Sequence, residues 1–135
     1  MSRDDVVPPL LALAASASYS DRADAGGALA VFADLPATHR ALAALLLDQH
    51  DTYVTLVTAE ALLHRHDSHG YALLASAFQN ANDNQSDWLH TALDNVLGIY
   101  AKERDEALAL CGPLPDAGAI VAALHALDPI LWPES

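Results

Sequence analysis

The sequence predicts an all-α protein of about seven to eight short helices, arranged as antiparallel pairs that stack into a short solenoid. Three observations carry this expectation. Apolar residues make up 53% of the 135-residue chain and aromatic ones only 6%, so the apolar mass is mainly Ala and Leu, which lose little side-chain freedom in a helix. No segment shows the alternating β-branched pattern of a strand. A helix-turn-helix unit recurs at a period of about 33 residues.

Punctuation in the chain marks the elements. A first helix is expected from Pro9 to about Ala17, with proline tolerated in its opening turn. Ser20 or Asp21 can cap a second, DRADAGGALAVFADL, which ends before Pro36. Its Gly26-Gly27 pair weakens the helix locally and implies close approach of a neighbour, because no phosphate-loop fingerprint surrounds it. Thr38 to Leu47 makes a third helix, stopped by the polar DQHD. In DTYVTLVTAEALLHR, Val54, Val57, Thr58, Ala61 and Leu62 line one face while Tyr53, Leu56 and Leu63 lie on another, so this fourth helix must be sandwiched between layers. Asp67 and Ser68 can cap a fifth, burying Leu74, Ala77, Phe78 and Ala81. NDNQSD reads as a turn, with Asn84 or Ser86 capping WLHTALDNVLGIYAKER, whose stripe is Leu89, Ala92, Leu93, Val96 and Tyr100. A short helix from Glu106 to Cys111, a Gly-Pro-Leu-Pro break and a last helix from Ala117 to Leu127 complete the series.

The repeat is clearest between the pair beginning at Asp51 and the pair beginning near Asn84, with TAEALL facing TALDNV; a weaker copy begins at Ser20. The chain therefore divides as one domain, 1–135: a capping helix in 1–19, repeat units at 20–50, 51–82 and 83–116, and a capping helix and tail in 117–135. Leu46-Leu47, Asp48 to Asp51, Val54, Thr58-Ala59 and Ala61-Leu62 together resemble a HEAT repeat, in the short form of phycobilisome-lyase-like proteins. Thr55 stands where such repeats often carry Arg, the turn lacks its usual Pro, and Trp88 falls near the Val position of the next unit. The resemblance implies a macromolecule-binding scaffold, by analogy of fold alone.

With 18 acidic and 6 basic residues the formal charge is −12. Such a field repels nucleic acid and anionic membrane surfaces, which are held by Lys and Arg, and favours a basic protein partner. The same charge also serves solubility alone. Cys111 is the single cysteine, which excludes an intrachain disulfide and a thiolate-rich zinc site. Asp4, Asp5 and the Pro8-Pro9 pair stand where a signal peptide would carry positive charge, and no apolar run is long enough for a bilayer, so a cytoplasmic location is expected.

Candidate chemistry centres on HRHDSHG, His64 to Gly70. His64, His66 and His69 are the candidate metal ligands, but at a helix-to-helix turn His64 can meet free carbonyls while Asp67 and Ser68 accept free amides, so capping explains the cluster without a metal. Asp87, His90 and Asp94 share a helix face, as a di-metal bundle would require, yet only Glu60 and His64 offer a partial counterpart. No nucleophile elbow is present, and Cys111 beside Gly112-Pro113 reads as an inert thiol. No cofactor is expected.

Asp48 and Asp51 at one repeat turn, and Asp83 and Asp87 at the next, would be stacked along one edge; with Trp88 they form the candidate partner-binding set. Helix capping is their alternative role. The expected function is a non-catalytic protein-binding module, with an immunity- or antitoxin-like protein that covers a basic partner as its concrete form. The alternatives are a self-associating scaffold using the apolar tail Ile130, Leu131 and Trp132, whose other and more expected role is to fold back and cap the last repeat, or a metal-dependent enzyme using His64, His66, Asp87 or His90.

Overall fold

The computed structural model describes residues 3–131. Among them are eight α-helices: α1 (Val7–Ala14), α2 (Tyr19–Ala30), α3 (His39–Leu46), α4 (Thr52–Leu63), α5 (Ser68–Asn80), α6 (Asp83–Leu97), α7 (Ala101–Cys111) and α8 (Gly118–Ala126). Short 3-10 turns at Arg3–Val6 and Pro36–Thr38 precede α1 and α3. No strand is present among the described residues, only an isolated bridge between Tyr100 and Leu131. None of these helices is long and apolar enough to cross a membrane.

The helices stack as pairs in a solenoid-like arrangement. α4 packs on α2 and on α6, so the first helices of the three pairs form one layer. α5 packs on α3, α7 and α8, forming the second layer, and α4 also meets α3 and α5. α4 is thus surrounded, as its two apolar faces require. One contiguous core runs through both layers, from Ala23 and Leu29 through Leu62 and Leu93 to Leu124. First helices start at Tyr19, Thr52 and Asp83, in step with the repeat.

α2 and α4 approach closely at Gly26. A Cβ there would overlap the Thr58 side chain, so the glycine lets α2 and α4 touch backbone to side chain, which is the role its sequence suggested. Thr55 and Thr58 are fully buried, and neither hydroxyl finds a hydrogen-bond partner. Thr55 is the position at which the resembled repeats often carry Arg.

Several boundaries differ from expectation. α2 is capped by Ser18, whose side chain accepts from the Asp21 amide, and it stops at Ala30. The early stop is tertiary: Arg65 donates to the Ala30 and Val31 carbonyls at 3.0 and 2.8 Å, and Arg3 donates to Val31 at 3.0 Å. NDNQSD is not a turn. Asn82 and Gln85 form a capping box, side chain to backbone in both directions, and the helix starts at Asp83.

The long sixth helix is also divided. Residues 98–100 interrupt it, and the tail supplies the hydrogen bonds that an unbroken helix would have made: Ile130 N donates to Gly98 O, Leu131 N to Ile99 O, and Ala101 N to Leu131 O. Tyr100, expected in the apolar stripe, is 45% exposed. The tail therefore folds back over the connection between α6 and α7, with Pro129 buried and Ile130 and Leu131 exposed. Trp132 lies outside the described residues.

Candidate functional site

Stacking brings the turns before α2, α4 and α6 to one edge, and two long side chains, Arg22 and Gln85, fasten them. Arg22, on the first turn of α2, donates to both carboxylate oxygens of Asp48, through Nε at 2.9 Å and Nη2 at 3.2 Å. Its Nη1 donates to the Ser16 and Ala17 carbonyls at 3.1 and 3.0 Å. Gln85, on α6, donates from its side-chain amide to the Leu47 carbonyl at 3.0 Å. The arginine joins the first turn to the second, and the glutamine joins the second to the third.

The acids expected on this edge divide into two kinds. Asp48 is turned inward, with a side chain 7% exposed, and also accepts from the amides of His50 and Asp51. Burial opposes its ionisation, but the Arg22 guanidinium and these amides outweigh it and hold the carboxyl below its ordinary range. Asp48 is thus a buried fastener, not a member of an exposed ridge. Asp51 caps α4, accepting from the Tyr53 amide at 2.8 Å, and is half-buried. Asp83 and Asp87 are exposed on the first turns of α6, while Trp88 is half-buried beside Leu89.

Residues that no sequence motif marks complete the edge. Asp24 is exposed on α2, and Tyr19 and Tyr53, on the first turns of α2 and α4, meet edge to face with ring centroids 6.2 Å apart. Each tyrosine is about half exposed. Their spacing of one repeat was the available signal. Hollows follow the same edge: an apolar groove of about 880 Å³ between α1 and α3, and a polar one of about 720 Å³ between the second and third turns.

Elsewhere the carboxylates and cations hold one another. Arg3 pairs with Asp34 at 2.8 Å and keeps its carboxyl well below the usual range. Arg65 pairs with Asp67 at 2.8 Å, and Arg104 with Asp105 at 2.8 Å. Much of the positive charge is thereby committed inside the chain, whereas Asp24, Asp83 and Asp87 face solvent.

HRHDSHG resolves into a helix-to-helix corner. Asp67 caps α5 by accepting from the Gly70 amide at 3.0 Å, and a Cβ on Gly70 would overlap the Leu62 carbonyl. Arg65, not a histidine, does the joining, through its bonds to α2 and Asp67. His64, His66 and His69 are all exposed, and among the described residues no three His, Cys, Asp or Glu side chains converge to hold a metal ion. His90 packs edge to face on Phe78, its ring centroid 5.3 Å away, rather than joining Asp87 and Asp94 in a cluster. Cys111 is fully buried, and burial pushes its thiol up to about 11.

Compared with models of protein families, with curated proteins and with solved structures, the chain gives no significant match.

Proposed function

We propose that this chain is a non-catalytic, HEAT-type protein-binding module whose acidic edge engages a basic protein. The observation that carries the reading is the collection of exposed Asp24, Asp83 and Asp87 with capping Asp51 along one edge. Arg3, Arg22 and Arg65 are bound to Asp34, Asp48 and Asp67 of the same chain. An excess of oriented negative charge accelerates encounter with a positive surface and selects against acidic partners. Its concrete form is an immunity- or antitoxin-like protein that covers the basic face of a nuclease or similar toxin in the cytoplasm. Nucleic acid and anionic membranes are disfavoured by the same field.

The test is capture from a lysate of the source cell at low and high salt. The reading requires a retained protein of basic composition that is released as salt screens the contact. Recovery only of acidic or neutral proteins, insensitive to salt, counts against it.

A second reading, self-association, is favoured by exposed Ile99, Tyr100, Ile130 and Leu131, which cluster where the tail pairs with residues 98–101. Sedimentation of the purified chain separates the two, since a scaffold built on this patch is not monomeric at micromolar concentration.

A further inference from the structure

We infer that the tyrosine pair Tyr19 and Tyr53, with the carboxylates of Asp24 and Asp51, is the arginine-accepting hot spot of the acidic edge. This rests on the proposed function and names the chemistry of its central contact. The four side chains, with Ser20, line a hollow of about 470 Å³ between the first turns of α2 and α4. Two half-exposed aromatic rings in the middle of a charged edge are poorly placed for the solvent alone. Nor does the core need them, because both helices are already seated by Ala25, Leu29, Val54 and Leu62.

The edge-to-face contact, at 83° between ring planes, holds each ring against the other and reduces the freedom lost on binding. Asp24 has no hydrogen-bond or ion-pair partner among the described residues, so its carboxylate is free to accept. A helix N-terminus would ordinarily oppose a cation, but here Ser18 and Asp51 already occupy first-turn amides of α2 and α4. A guanidinium suits this setting better than an ammonium. It stacks flat on an aromatic face and forks onto a carboxylate at once, whereas lysine offers a compact, strongly hydrated charge.

Two peptides test this: a nine-residue Lys/Gly peptide with one central Arg, and the same peptide with Lys in its place. Calorimetric titration of the wild-type chain is expected to favour the Arg peptide roughly two- to five-fold. Tyr19→Ala with Tyr53→Ala should erase that preference and leave a weak, salt-dependent attraction equal for both peptides. Asp83→Asn with Asp87→Asn should weaken both peptides alike and keep the preference. Circular dichroism of each variant confirms the helical fold, which exposed tyrosines do not support. Equal affinity of the wild type for the two peptides, or a preference that survives the tyrosine variants, overturns the hot spot while leaving the acidic edge standing. If neither peptide binds the wild type at low salt, the acidic edge fails and the hot spot falls with it.

Discussion

Arg22 and Asp48 are joined at 2.9 Å across 26 residues of sequence, with side chains 11% and 7% exposed, and their pairing fastens α2 to the turn that begins α4. Truncating one partner leaves the other charged and largely sealed from water. Asp48→Ala is therefore expected to cost about 3 kcal/mol, read as a shift in the urea midpoint. The pair also sets an acid limit. Because the folded-state pKa of Asp48 is lowered, its contribution is complete above the unfolded value of about 4 and is lost as pH falls through the folded value. Melting temperature should drop on that acid limb for the wild type, and Asp48→Asn should flatten the drop. An unchanged limb would show that the pair is not a stabilising contact.

The Gly26 crossing gives a prediction about packing. Gly26→Ala pushes a methyl into Thr58 and should destabilise by about 1–3 kcal/mol, although alanine is the better helix former. Thr58→Ala removes both the obstructing atom and a buried hydroxyl without a partner, so the double variant should recover most of the loss. Additive single effects would mean that the two residues do not meet.

The tail is the third case. A chain ending at Asp128 loses the three backbone hydrogen bonds to residues 98–101, worth about 1 kcal/mol each at most where water can replace them. It should remain helical, melt at a lower temperature and show faster exchange of the Ala101 amide. Unchanged protection at Ala101 would contradict the pairing.

Cys111 should be silent. With no exposed surface and its thiol raised to about 11, it should react with a thiol reagent only at the rate of opening, and become fully reactive in denaturant. Rapid labelling of the native chain would contradict the buried placement.

Local signals in the sequence were legible and mostly sufficient. Asp67 as the cap of α5 and Gly26 as a helix crossing follow from residues read within one or two turns of each other, and the paired layers from the repeat of about 33 residues. Asn82 and Gln85 carried the capping-box signal as well, but the polar run around them looks like a turn. What could not be read was settled by partners far along the chain. The break after Leu97 depends on residues 130 and 131, the end of α2 on Arg65, and the burial of Asp48 on Arg22. Acids that cap, fasten or face solvent have the same letter, so the collection of acids at the repeat turns was legible while the inward turn of Asp48 was not.

On the proposed function, the acids of this edge engage a basic protein. The most direct measurement captures partners from the source cell's lysate with the wild type and with a variant carrying Asp24→Asn, Asp51→Asn, Asp83→Asn and Asp87→Asn. Asn caps helices about as well as Asp, so the fold is preserved while the charge is removed. A basic protein should be retained by the wild type at low salt, released at high salt and absent from the variant. The same protein retained equally by both forms would contradict it.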